Sequence, residues 1–484
     1  MAEPSSNTRS GWQAWLRDER FWQIAFQIIL IVVVGAAFSF LFGNLSRNMA
    51  RQGIQFGFGF FQNPAGFGIR EDLLAYQPQE SYAKVVQAGI VNSLRLVFVG
   101  IITATIAGVA AGVASFSDNW LVFKLSRAYV GLVRNVPLLL QLFLWFYAVI
   151  LALPSEQQNP IVLPNANTTW LIASNSQINI VGPNLPDPVW VGLMLLLVTS
   201  LLLGLLWRSV SNFMQGRFAA GIAGWAARAG NAAVIVGVLF FGYLLLFSNS
   251  AQDQLFFQGA LISLFTNPEG LWIMGLMAAF VAIVLLYRQR MKVMLERGAD
   301  GKVFLYAMIA IAVAMVAVVL FAFNWTPPEL RRIEIAGNVR TVATGGLRMT
   351  GSYAAALIGL TFYTGAFIAE IVRAGIQSVS RGQWEAARSV GLSNGQAMQL
   401  VIFPQSLRVI IPPLNSEFAN LAKNSSLAFA VGYPELYNIA NTTLNQTGRP
   451  IEVFLVMMAT YLTLNLLISL NMNQLNNAVQ FKER

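Results

Sequence analysis

Apolar residues run with few interruptions over Phe21–Phe42, Ile90–Ala114, Ala128–Leu153, Val189–Trp207, Ala232–Phe247, Leu271–Tyr287, Val303–Phe323, Tyr353–Val372, Val409–Gly432 and Glu452–Asn471. A helix crosses a hydrocarbon core with roughly twenty such residues, so the pattern predicts about ten spans. The expected fold class is all-α, a polytopic transmembrane helical bundle. Phe21–Phe42 is too long for the apolar part of a signal peptide and lacks a convincing small-x-small cleavage site. It reads as a retained anchor with its amino end in the cytoplasm.

The segments between the runs set the orientation. Leu153–Pro188 is rich in Pro, Asn, Gln and Ser and holds no Lys or Arg, which places it outside the cytoplasm. Arg208–Asn231 and Arg288–Lys302 are basic and Ser248–Gly270 is not, the alternation expected of spans with cations inside. The four runs between Val189 and Phe323 carry no interior charge and read as lipid-facing scaffold. Lys124 and Arg127 fall in a short loop, and Pro137 predicts a bend or a first membrane turn in the run that follows. Two segments oppose the alternation. Gly43–Gly89 holds Arg47, Arg51, Arg70 and Lys84, and Asn324–Ser352 holds Arg331, Arg332, Arg340 and Arg348, although counting places both outside. Both termini are then cytoplasmic.

One polar island is different in kind. Glu385-Ala386-Ala387-Arg388-Ser389-Val390-Gly391 runs on to Val401-Ile402-Phe403-Pro404 between two apolar runs. Ser380 with Gln383, and Ser393 with Gln396, have the spacing of capping boxes. Gly391 stands where the first helix needs a left-handed closing residue. In the second helix Ala397, Leu400 and Val401 share a face, and Pro404 is expected to disrupt its continuation. Two capped helices exceed what a plain connection requires. The small residues Ala386, Ala387 and Gly391 leave a hairpin able to enter a partner's groove. The next run is also unusual, opening with Pro412-Pro413 and carrying Asn415, Glu417, Asn420, Lys423, Asn424 and Ser425. Glu417, Asn420 and Asn424 have the spacing of one helical face, and ionisable groups at such depth must meet protein or water. With Lys423 they are the candidate substrate pathway.

Composition narrows the function. Apolar residues make up 56% and charged residues 11% of the 484-residue chain. The mean hydropathy of +0.59 agrees with a membrane protein. The net charge of +10 does not point to nucleic acid, because the cations flank apolar runs. Neither cysteine nor histidine occurs, which excludes thiolate and imidazole metal sites and every catalytic device built on them. No Gly-x-x-x-x-Gly-Lys-Ser/Thr loop occurs, so the chain does not hydrolyse ATP itself.

The island resembles the coupling loop of ABC importer membrane subunits: Glu-Ala-Ala, three residues, Gly, nine residues, then Ile-x-Leu-Pro, with Val401 and Phe403 in place of the Ile and Leu. Asn92-Ser93-Leu94-Arg95 resembles the opening helix of the polar amino acid importers. Arg134-Asn135-Val136-Pro137-Leu138-Leu139-Leu140-Gln141-Leu142-Phe143 is similar to their Arg-Gly-Thr-Pro-Leu-Leu-x-Gln-Leu-Phe run. Glu370 to Val379 and Pro412 to Leu427 resemble the helices on either side of the loop. The resemblance implies a type I importer core formed by residues 90–153 and 353–484, with a coupling loop at 376–408 that contains Glu385, Ala386, Ala387, Gly391 and Pro404. It leaves an additional region at 1–89, with its own span, and an insertion at 154–352 holding four further spans. The general L-amino acid branch, which includes permeases for glutamate, glutamine, aspartate and asparagine, has a similar plan. What it implies is a permease subunit of a bacterial inner membrane, in contact with lipid. Its partners would be an ABC ATPase dimer, a second and non-identical permease subunit, and a periplasmic amino acid-binding protein. ATP and Mg would belong to the ATPase; this chain would hold no cofactor.

Two rivals set the comparison. An ion-driven secondary transporter would have two related halves and a coupling carboxylate; Glu417 with Pro412-Pro413 is the feature open to that reading, and no second half mirrors it. An intramembrane enzyme would need a nucleophile with its base, or metal ligands, and few combinations exist without His or Cys.

Overall fold

The computed structural model describes residues 19–51, 53, 56–71, 73–74, 76–157, 159–164, 169–183, 189, 262–297, 302–323, 325–335 and 338–479. They form two compact units. The smaller holds helix α1 (Glu19–Arg51), Gly57–Phe58 and Arg449–Glu452. Within it Glu452 is fully buried, accepting from the Gly57 amide at 2.8 Å and pairing with Arg449 at 3.7 Å.

The larger unit is a helical bundle built on α2 (Tyr82–Ala114) and α7 (Gly351–Gln377). These two run side by side in the same direction, because small residues recur every fourth position of α2, at Gly100, Ala104, Gly108 and Gly112. Ala104 lies against Gly365, Gly108 against Ile368 and Gly112 against Val372. A Cβ added at Gly108 would stand 2.5 Å from the Ile368 Cβ. Without a hydrophobic drive between helices in lipid, close backbone approach supplies the packing energy.

The third apolar run is divided. Trp120–Arg134 (α3) and the helical stretch from Leu138 (α4, Leu138–Phe143, then a wide turn to Ile150) meet at an angle of 110°. Pro137 stands at the N-cap of α4, where it has no helical hydrogen bond to lose. Lys124 and Arg127, expected in a loop, lie on α3. The Gln141 amide donates to the carbonyls of Val133 and Val136, both at 2.9 Å, and so fixes the corner. α4 then runs against α7, with Leu142 on Gly359 and Ile150 on Gly351.

After α7 come two short helices, α8 (Arg381–Ser389) and α9 (Asn394–Ala397), and then a return helix, α10 (Phe403–Asn424). Pro404 does not end the helical path, contrary to expectation. A wide turn over Met398–Ile402 resets the ladder, so the proline falls in the first turn of α10, where its missing N–H is harmless. Pro412 and Pro413 lie inside α10 and do not open a span. Beyond α10 the sequence reading had no element before Pro450. The chain forms a short helix, α11 (Leu436–Thr447), packed on α2, before the last helix, α12 (Pro450–Val479).

The helical bundle agrees with the expected class, with one addition in the insertion. Strands β1 (Ile161–Leu163), β2 (Leu171–Ala173) and β3 (Gln177–Ile180) form an antiparallel sheet completed by β8 (Leu347–Thr350). β4 (Gly182–Pro183) pairs with β5 (Trp325–Thr326), and β6 (Glu329–Ile335) pairs with β7 (Asn338–Thr344) as a separate hairpin. The two ends of the insertion are thus stitched together. Between them, α5 (Pro268–Arg297) and α6 (Lys302–Phe321) match two expected spans and are almost wholly exposed, as lipid-facing helices are. The expected spans Val189–Trp207 and Ala232–Phe247 lie outside the described residues, apart from Val189. Among the described residues six helices are long and apolar enough to cross a membrane, or seven if the α3–α4 pair is one span.

Candidate functional site

The strands and the two short helices α8 and α9 stand at opposite ends of α7. β8 leads directly into its first turn, where the Thr350 hydroxyl accepts from the Tyr353 amide, and α8 follows its last turn. At this second end Ser393 and Gln396 form the expected reciprocal cap: the Ser393 hydroxyl accepts from the Gln396 amide and the Gln396 side chain from the Ser393 amide. Ser380 is an N-cap without a side-chain bond, and Gln383 instead accepts from Gln405 at 3.0 Å. Gly391 adopts φ +83° and nothing lies within 4 Å of the Cβ position, so conformation alone demands glycine there. Glu385, Ala386, Gly391 and Pro404 are exposed, while Ala387 is buried at 3% and accepts from the Leu392 amide through its carbonyl. Ala387 therefore closes the hairpin upon itself. Leu400 is 62% exposed whereas Ala397 is buried, because the wide turn shifts the helical phase and separates residues expected on one face. Trp384, Met398, Val401 and Phe403 pack on the bundle and hold the pair of helices to it.

All four residues of the expected pathway cluster lie on α10, and two of them line one groove. Asn420 and Lys423 line a lateral groove of about 330 Å³ between α10 and α12, together with Asn415, Ser416, Asn465 and Ser469. The side-chain oxygens of Asn415 and Asn465 have no partner there. Glu417 and Asn424 lie outside this groove's lining, and Glu417 instead comes within electrostatic reach of Arg134. That residue belongs to a second cavity, about 450 Å³, bounded by the last turns of α2, by α3 and by α7. Arg127, Arg134, Arg373 and Glu370 line it. Glu370 is bound by Arg373 through two nitrogens and lies 3.8 Å from Arg134. Three guanidinium groups around one carboxylate leave the cavity with an excess of positive charge, suited to receiving a further carboxylate. Arg127, Arg134, Glu370 and Arg373 do not stand out in the sequence as one site, because they lie on α3 and α7, far apart in the chain, and only the packing of α3 on α7 brings them together.

Two further buried polar groups were also missed. Glu71 pairs with Arg95 and binds the Thr350 hydroxyl, and the Arg95 guanidinium lies 4.1 Å from the centre of the Tyr353 ring. Asn92 donates to the carbonyls of Glu71 and Pro434, so one knot ties the segment before α2 to α7 and to the start of α11. Glu435 is fully buried and caps α11, accepting from the amides of Tyr437 and Asn438 and from the Tyr461 hydroxyl at 2.9 Å. Burial pushes its carboxyl up to about 7. Glu is not among the favoured N-cap residues, which is why the sequence did not single it out.

Residues 301–480 match the family described as binding-protein-dependent transport system inner membrane component. The chain is 33% identical to the putative amino-acid ABC transporter permease protein YhdX of Escherichia coli (strain K12), over 95% of this chain and 94% of that protein. It is 30% identical to the general L-amino acid transport system permease protein AapQ of Rhizobium johnstonii, over 98% and 97% of the two chains. With the glutamate/glutamine/aspartate/asparagine transport system permease protein BztB of Rhodobacter capsulatus it shares 32% identity over 96% of each. Such agreement along almost the whole length, insertion included, favours the importer over an ion-driven transporter. A helical membrane bundle with no phosphate-binding loop, aligned end to end with these permeases, belongs to the amino-acid ABC transporter permeases of the binding-protein-dependent inner-membrane component family.

Proposed function

We propose that this subunit carries polar L-amino acids inward across a bacterial inner membrane, driven by a separate ABC ATPase dimer that docks on α8 and α9. The observation that carries the reading is the capped helical pair, exposed at Glu385, Ala386 and Gly391 and lying directly between α7 and α10. ATP and Mg act on the ATPase, and its closure moves the hairpin with the two helices attached to it. A second, non-identical permease covers the groove of Asn415, Asn420, Lys423 and Asn465, since such a row of polar groups is costly against lipid. The names of AapQ and BztB support L-amino acids, including acidic and amide ones, as the substrate class. The Arg127–Arg134–Glu370–Arg373 cavity has an excess of cations that suits the carboxylate of an amino acid. A soluble binding protein delivers substrate at the strand end of α7, with both chain termini in the cytoplasm. Residues 90–153 and 353–484 then form the transport core around the 154–352 insertion.

The test is Glu385→Arg in the reconstituted transporter. ATP-dependent uptake is expected to fall at least tenfold while membrane insertion is unchanged. Normal uptake with Glu385→Arg in place would sink the docking role.

A further inference from the structure

We propose that the β6–β7 hairpin is a docking arm for the transporter's own soluble binding protein, gripping an acidic patch on it. This rests on the reading of the chain as a binding-protein-dependent importer and names the surface that the partner uses.

The hairpin is a ribbon of seven paired positions that belongs to no larger sheet. A two-stranded ribbon by itself is marginally stable in water, and among the described residues its side-chain anchors to the rest of the chain lie at its base. There the Glu156 carboxylate accepts from the Ala343 amide and from the Gln177 side chain, and the Gln177 side chain donates to the Ala343 carbonyl at 2.8 Å. Beyond that base the ribbon is open on both faces. Val339 is 70% exposed on one face and Ile333 38% on the other.

Its charges are predominantly positive. Arg331, Arg332 and Arg340 stand on it, with Arg348 exposed on the adjoining β8, against Glu329 and Glu334. Strand alternation and the register put Arg331 and Arg340 on one face and Arg332 on the other. A ribbon lying on lipid headgroups would gather its cations and aromatic residues on one side. This one divides its cations between faces and has no aromatic residue in either strand. Cations on both faces with exposed aliphatic residues between them suit a partner that surrounds the arm, with acidic side chains complementing the guanidinium groups. These arginines also explain why the segment breaks the charge alternation: they serve a partner, not orientation.

The arm is in mechanical contact with the transport core. β7 turns through Gly345 and Gly346 into β8, whose last residue, Thr350, caps α7. Both glycines have positive φ, and a Cβ at Gly346 would stand 2.3 Å from the Ile180 carbonyl oxygen. A load on the ribbon therefore reaches α7 through a tight, glycine-fixed turn, and α7 ends at the coupling helices.

The test is Arg331→Glu with Arg332→Glu and Arg340→Glu in the complete transporter, in neutral-lipid vesicles with a radiolabelled L-amino acid mixture. Uptake is measured against binding-protein concentration. The expected result is a rise of about tenfold or more in the half-saturating concentration, with an unchanged maximal rate. The wild-type value should also worsen as salt is raised. Replacement of the same arginines by lysine should preserve most of the affinity, which separates lost charge from lost folding. An unchanged half-saturating concentration overturns the proposal. So does a defect that appears only when anionic lipid is present, which would assign the arm to headgroups. If wild-type uptake needs no binding protein at all, the importer reading fails first; if it does and the variant is indifferent, only the arm falls.

Discussion

Gly108 shows how much depends on one missing side chain. It faces Ile368 with no room for a Cβ, and the same close approach is repeated at Gly112 against Val372. Gly108→Val should cost about 1–3 kcal/mol, the usual range for overpacking, and lower the Tm of the purified subunit. An unshifted melting curve would mean that α2 and α7 do not pack as described. The Glu71–Arg95 pair poses a different residue-scale question. Its side chains are 7% and 13% exposed, so Glu71→Gln strands a guanidinium and should destabilise by about 3–5 kcal/mol. Replacing both, as Glu71→Leu with Arg95→Met, should be much milder. Equal losses in thermal melts of the two variants would show that the pair acts independently of charge compensation.

At the scale of elements, the α8–α9 hairpin is anchored to the bundle by Trp384, Met398, Val401 and Phe403 and shaped by its own backbone. Its cap at Ser393, the left-handed turn at Gly391 and the inward Ala387 carbonyl set its shape. Because space around Gly391 is open, Gly391→Val strains only the turn, by about 1–2 kcal/mol. The subunit should insert normally and lose ATP-dependent uptake; co-purification of the ATPase with undiminished uptake would refute the idea that turn geometry matters. The wide turn at Met398–Ile402 is the counterpart on the other side. It accommodates Pro404 and rotates Leu400 outward, so an ordinary helical wheel drawn through it assigns the wrong face.

At the scale of the whole molecule, orientation is what an experiment reads most directly. The chain has no cysteine, so single ones can be introduced without background. Ser176→Cys, exposed beside β3, should react with an impermeant thiol reagent added to intact cells whose outer membrane has been made permeable. Asn394→Cys, exposed at the start of α9, should react only after the inner membrane is opened. Labelling of the second from outside would invert the orientation.

The sequence by itself determined the membrane class, the positions of most helices and the capped α8–α9 hairpin. Apolar length, capping residues and a left-handed glycine are local signals, each legible within a few turns of chain. Tertiary structure decided what depends on residues far apart. It gathered Arg127, Arg134, Glu370 and Arg373 into one cavity, set Asn420 and Lys423 but not Glu417 in the lining of the α10–α12 groove, and stitched residues 177–183 to 325–350. The strands escaped a reading by hydropathy because they are short and their partners lie far away in sequence. A two- to seven-residue strand has too few side chains for its alternation to stand out, and its stability comes from pairing that no local pattern encodes.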